Sequence, residues 1–543
     1  MSERLSDEDV TTVRGAQSGG VGEAPVPRDE TPAALRQLGR IGGLVLLLLA
    51  LTYLTPMLHA LRPWLPGEPV PVIHALLGEQ EGGLPEFAGS GSGYQSGRQT
   101  EPDAPPVIDE EVDEAAVSEP DAGLKAVLSR VIEARAPLTL TEGGVLDPFF
   151  AKLADVARGH GVVRIAHYGD SSIATDLITS TVRRKLQRRF GDAGHGFTLI
   201  AKGYMPYLHR DIRVSASKQW ALSELVRESL GSSGWYGYGG VRYAVSGFGA
   251  AATYATVPDG PVGREISRFQ LFYQAHPRGG EVELRYGDGE KAIVETGASE
   301  GQEDRVYTLE VPRGSHEIRL RHAGKGALRL YGVVLENDGP GVVYDSLGLV
   351  GARAKRLLNF DEAHIWGQLD ARGVDLVVLG FGGNEASDPL ARIESYRDGH
   401  QEVIRRMRGQ PARPCIVFAP LDQAHKDDRG RIRTMETVPR IVEGQRLAAE
   451  AEGCAFFDTF EAMGGAESML RWYRKKPRLA FGDFRHATPA GYDHLGQLFS
   501  EALLAAFQDY VRRTTAPMST PRATPVSGPP SSPPTSSFSE ADG

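Results

Sequence analysis

The sequence predicts an α/β fold: a parallel sheet flanked by helices, interrupted by an inserted antiparallel β-sandwich and preceded by a transmembrane helix. Three observations predict it. Short apolar runs alternate with helix-period segments on either side of a central stretch. Within that stretch, 211–338, apolar and polar residues alternate in runs separated by Gly, Asp or Pro turns. Finally, Ile41–Leu61 carries no formally charged residue between Arg40 and Arg62, and at about 1.5 Å per residue it is long enough to cross a hydrocarbon core of ~30 Å.

The elements follow in chain order. Residues 1–40 are polar, rich in Gly and Pro, and show no sustained period, which predicts a disordered tail. Ile41–Leu61 reads as an uncleaved anchor, because a long polar segment precedes it and Met57–Ala60 lacks a small-x-small cleavage pattern. Arg28, Arg36 and Arg40 lie just before it and only Arg62 lies just after. The positive-inside rule therefore leaves the N-terminus cytoplasmic and exports everything after residue 62. Residues 62–121 are Pro-, Gly-, Ser- and acid-rich and form an extended linker.

The first α/β segment spans 122–210. It contains expected helices over Leu124–Arg135 and Asp147–Arg158, then an apolar strand beginning at Val162. After Gly169-Asp170-Ser171-Ser172 the pattern turns helical, with Leu177, Ile178, Val182, Leu186 and Phe190 on one face. The sandwich, 211–338, includes runs such as Phe269–Tyr273, Glu281–Tyr286 and Glu317–Arg321. The second α/β segment, 339–513, supplies strands at Val374–Gly380, Cys415–Pro420 and Ala455–Asp458. Helices are expected over Asp388–Arg408, Thr437–Glu452 and Thr488–Arg512. The Ser/Thr/Pro-rich end, 514–543, reads as disordered.

Composition narrows the function. The formal net charge is −10 and acidic residues crowd Glu101–Asp121, which argues against a nucleic-acid partner. Two cysteines, Cys415 and Cys454, exclude a disulfide-rich scaffold and a cysteine-ligated zinc site. They read as two buried thiols or, in an exported domain, as one disulfide. His195, His364 and His425 lack metal-ligand spacing, and no phosphate loop or dinucleotide fingerprint occurs. No cofactor or metal is expected. The aromatic-glycine stretch 234–240 fits either a sugar-facing surface or a turn with core aromatics. The basic run Arg183–Arg189 reads as a solvated helix face rather than a polyanion site.

The chemistry starts at Ser171. A serine in this turn lies at the carboxyl end of a strand and at the amino end of a helix, where ligands and negative charge are favoured. A hydroxyl needs a base in contact, and a histidine needs a carboxylate to fix its tautomer. Asp483 and His486, three residues apart on one loop, carry both groups. Asn384 follows the Val374–Gly380 strand and so falls on the same sheet edge, where its amide suits an oxyanion. Gly351 offers a backbone N–H free of side-chain obstruction, with Gly348 as a rival.

The blocks GDSS, LVGA, GGNEA and DFRHATPAGY resemble the four signatures of the SGNH (GDSL-type) hydrolase family, whose sheet is flavodoxin-like. The resemblance implies Ser171 as nucleophile, His486 as base and Asp483 as its orienting partner. It implies Gly351, Asn384 and the Ser171 N–H as oxyanion donors. Two departures, Ser172 and Glu385, fall where no chemistry is expected. A sandwich inserted between the first two blocks is similar to bacterial peptidoglycan O-acetylesterases, whose insert resembles a carbohydrate-binding module. The expected activity is hydrolysis of O-acyl, chiefly O-acetyl, esters on an envelope glycan such as peptidoglycan. An O-acyltransferase using the same residues and a non-catalytic glycan-binding protein are the alternatives.

Overall fold

The computed structural model describes residues 122–515, apart from short gaps at 130, 141–143, 204–206, 228–232 and 390–391. The expected anchor, linker and two tails lie outside the described residues. Among the described residues no helix is long and apolar enough to cross a membrane.

Five parallel strands form the first sheet in the spatial order Gly341–Gly348, Val162–Gly169, Leu376–Gly380, Cys415–Phe418, Ala455–Phe457. Val163 and Ile165 are fully buried, as are Leu376–Leu379 and Cys415–Val417, so these strands are the near-continuous apolar runs that a sheet covered on both faces requires. Helices Asp147–Ala157, Leu177–Phe190, Glu362–Arg372, Ile393–Arg408, Thr437–Ala451 and Pro489–Thr515 complete the α/β unit. The last opens with proline, whose missing N–H costs nothing in a first turn. Cys415 and Cys454 form a disulfide, which selects between the two readings left open for them.

The sandwich consists of two antiparallel sheets. One is ordered Ile212–Ala216, Ala251–Thr256, Glu317–His322, Glu281–Tyr286, Glu290–Glu295. The other is ordered Glu303–Gly314, Ile266–Ala275, Leu328–Glu336, Val241–Val245, Ala221–Glu224. Gly194–Thr198 also pairs with Leu328–Glu336, so the β-unit recruits residues ahead of 211.

Two sequence expectations change, one strand emerges that the sequence did not reveal, and one open alternative is decided. The helix expected over Leu124–Arg135 ends at Leu128. Val131 and Ile132 are β-branched, and the Ile132 N–H bonds the Gln508 side chain instead of continuing a helix (3.0 Å). Gly341–Gly348 is a full strand, unrecognised because Asp345 and Ser346 interrupt its apolar pattern. Both are buried, and Asp345 accepts from Arg372, Tyr238 and the Phe197 N–H. Arg183 is not solvated. It is fully buried and bonded through both terminal nitrogens to Asp176, at 3.1 and 2.8 Å. In the aromatic-glycine stretch, Tyr236 and Tyr238 are buried and Trp235 stacks on His364 at 4.9 Å, so this is packing between the two units and not a sugar surface.

That junction is polar as well as aromatic. Arg372 of the α/β unit bridges Asp345 (2.8 Å) and Glu336 (2.5 Å), and Arg164 also reaches Glu336 (2.8 Å). Glu336 is buried, and burial alone would raise its carboxyl, but the two guanidiniums win and hold it down at about 2.

Candidate active site

Ser171 stands at the carboxyl edge of the parallel sheet, first in the short helix Ser171–Ala174. Asp170 caps this turn: its carboxylate accepts from the Ser172 N–H at 2.9 Å and from the Ser172 hydroxyl at 2.8 Å. Three glycines in register across neighbouring strands, Gly169, Gly348 and Gly380, lie below it. A Cβ on Gly169 would sit 2.2 Å from the Ile173 side chain, and one on Gly348 would sit 2.1 Å from the Ala174 backbone nitrogen. The glycine row therefore lets the serine turn settle onto the sheet edge.

Asn384 follows the strand Leu376–Gly380 and donates through Nδ2 to the Ala352 carbonyl at 2.9 Å. An amide NH₂ carries two hydrogens, so one remains for an oxyanion. The same bond brings the Gly351 segment alongside. Gly351 has φ +74°, and a Cβ there would meet nothing within 4 Å. It does not border the cavity that holds Ser171, whereas its neighbour Arg353 does. Gly348 sits beneath the serine turn.

Asp483 and His486 share a tight loop closed by a bridge between Ala480 and Ala487 and by the Phe481 N–H to the His486 carbonyl (2.9 Å). Phe484 turns the corner with φ 55°. One Asp483 oxygen accepts the Arg485 and His486 backbone N–H groups at 3.0 and 3.2 Å; the other meets His486 Nδ1 at 2.7 Å. The bond to Asp483 raises the imidazole above its ordinary 6.5 against the opposing effect of burial. Asp483 moves down: burial would raise it, but the His486 bond and backbone N–H groups prevail. With Nδ1 bonded to the carboxylate, Nε2 is the nitrogen that can serve as base.

Ser171, Asn384 and His486 line one cavity of about 250 Å³, together with Asp170, Gly383, Tyr492, Arg353 and Arg485. Asp483 stands behind His486. The sequence reading did not single out Asp170, Arg353, Arg485 or Tyr492. Two of them were adjacent to recognised residues inside the quoted blocks, and that adjacency was the available signal. Burial raises the Asp170 carboxyl, which also accepts from the Gly383 N–H.

Residues 314–494 match the model of the GDSL-like lipase/acylhydrolase family. Over this span the chain is similar to the GDSL-like acylhydrolases. The matched span contains Gly348, Gly351, Asn384, Asp483 and His486, while Ser171 lies ahead of the sandwich. The class expected from the sequence, a serine carboxylic-ester hydrolase, accords with this family. No curated protein matches the chain. Among solved structures, one described as a peptidoglycan O-acetylesterase in action is 23% identical, covers 68% of this chain and 99% of its own, and superposes with a TM-score of 0.57. A family two carbohydrate esterase from Cellvibrio japonicus is 10% identical, covering 55% of this chain and 99% of its own, with a TM-score of 0.21. CsCBM6-3 from Clostridium stercorarium in complex with cellobiose is 13% identical, covering 23% and 87%, with a TM-score of 0.17. The first supports the fold of the GDSL-like domain with its sandwich; the other two add no weight.

Proposed function

We propose that this GDSL-like protein is a membrane-anchored serine esterase that removes O-acetyl groups from a cell-envelope glycan outside the cytoplasm. The observation that carries the reading is the single cavity bordered by Ser171, Asn384 and His486, with Asp483 bonded behind the imidazole.

In this reading His486 Nε2 takes the Ser171 proton as Oγ attacks the acyl carbonyl. Charge developing on the carbonyl oxygen is met by the Ser171 N–H and the second Asn384 amide hydrogen, both from residues that line the cavity. Gly351, which does not line it, is not assigned a donor role. Each such donor is typically worth about 10²–10³ in rate. The imidazolium then returns its proton to the departing sugar oxygen, leaving an acetyl-enzyme. Water repeats the sequence to release acetate.

An export location is supported by the uncharged Ile41–Leu61 segment and by the Cys415–Cys454 disulfide, a bond that persists in oxidising compartments. The glycan substrate is supported by the printed description of the peptidoglycan O-acetylesterase above.

The test is labelling with a serine-directed phosphonate, mapping of the modified residue, and measurement of acetate release from acetylated glycan with and without acceptor sugar. Modification of Ser171 with acetate release is expected. Transfer to the acceptor in place of release would make the protein an acyltransferase, and no labelling with no turnover would make it a non-catalytic binder.

A further inference from the structure

We propose that Arg485 recognises a carboxylate on the sugar side of the scissile ester, so that the preferred substrate is an O-acyl group on an anionic sugar. The proposal rests on the esterase reading above and deepens it.

Two guanidiniums border the cavity, and their surroundings differ. Arg353 is neutralised by a two-point pair with Asp388 at 2.7 and 2.6 Å. Arg485 bonds only the neutral Ser387 hydroxyl through its guanidinium, at 3.0 Å, and no carboxylate among the described residues forms an ion pair with it. The one carboxyl in the lining, Asp170, is buried, already accepts from Ser172 and Gly383, and is shifted toward its neutral form. Among the described residues Arg485 is therefore the cavity-lining guanidinium with no carboxylate ion-paired to it.

The side of the ester follows from the chemistry. The departing oxygen must approach His486 Nε2 to receive its proton, whereas the acyl oxygen points toward Asn384. Arg485 is next to His486 on the same loop and its guanidinium reaches across to Ser387, so it spans the rim from the base toward the Asn384 segment. A carboxylate on the departing sugar meets it from the His486 side, and one on the acyl group is the alternative that the succinyl probe separates. A planar guanidinium matches a carboxylate in a two-point geometry, which an ammonium or a neutral amide does not reproduce.

The experiment compares kcat/KM of the full-length protein in detergent on three probes. These are an O-acetylated methyl hexuronide, its uncharged carboxamide, and a monosuccinyl ester of a neutral methyl hexoside; 4-nitrophenyl acetate serves as the reference. The wild type is expected to favour the hexuronide over its carboxamide by about tenfold at low salt, with the preference shrinking as salt is added. Arg485→Gln should remove that preference, lowering the hexuronide value about tenfold more than the reference value, and Arg485→Lys should restore part of it. Equal turnover of hexuronide and carboxamide by the wild type overturns the proposal. So does an equal loss on every probe in Arg485→Gln, which would mark a purely structural bridge to Ser387, and so does a preference for the succinyl ester. No turnover of any probe, the reference included, overturns the esterase reading and this proposal with it.

Discussion

Glu385 accepts the Ala354 backbone N–H through one carboxyl oxygen at 2.8 Å, while its other oxygen is buried without a hydrogen-bond partner among the described residues. Beside it, Asn384 holds the Ala352 carbonyl and Arg353 holds Asp388. Three adjacent links therefore tie the Gly351 segment to the Asn384 segment, the two stretches expected to share an oxyanion.

Burial raises the Glu385 carboxyl from 4.5 to about 7, and the nearby Asp170 adds to this. The folded group keeps its proton where an unfolded glutamate loses it. Its contribution to stability is complete below pH 4.5 and fades as the pH climbs through about 7. Glu385→Gln, which mimics the protonated form, should match the wild type at pH 5 and be more stable by about 2 kcal/mol at pH 8. Thermal unfolding at both pH values checks this, and a variant less stable at pH 8 would contradict it.

The Asp483–His486 bond sets the pH dependence of turnover. The base must be neutral to accept a proton, so kcat/KM should rise with pH through a midpoint above 6.5. Asp483→Asn removes the partner that raises the imidazole. Its midpoint should move down while kcat falls by about 10²–10⁴. A pH–rate profile of both proteins reads the two effects together.

Ser171→Ala should abolish acetate release and phosphonate labelling with the melting temperature little changed, because Ser171 is only half-buried and Asp170 bonds Ser172. Residual turnover comparable to the wild type would assign the nucleophile elsewhere.

The two rival glycines separate by substitution. Gly348→Ala would press a methyl group against the Ala174 backbone, displacing the serine turn, and should lower both kcat and the melting temperature. Gly351→Ala meets open space and strains only its left-handed backbone, at about 1 kcal/mol. Melting curves beside kinetics tell the two apart.

The sequence was most informative where periodicity and chemistry agreed. The strand at Val162, the helix carrying Leu177 and Phe190, and the Asp483–His486 pair all announce themselves locally. It was least informative where burial is polar. Asp345 disguised the edge strand of the parallel sheet because its partner Arg372 lies on a later helix, and Arg183 looked like a surface residue until Asp176 enclosed it. Glu385 was set aside as chemically idle because nothing in its neighbourhood of sequence reveals that Ala354 comes to meet it. Pairings of this kind are created by the fold and leave no periodic trace.

The charged junction around Arg372 has a consequence for how the protein can be handled. Arg372 and Arg164 belong to the hydrolase unit, yet they share Glu336, a carboxylate supplied by the final strand of the sandwich. Excising the sandwich would take Glu336 from both, leaving buried Arg372 with Asp345 as its carboxylate partner and partly exposed Arg164 without this one, so the cut would fall across a shared charge network. The two lobes are joined by shared charge as well as by chain, and a change at Glu336 would be felt on the α/β side through Arg372 and Arg164.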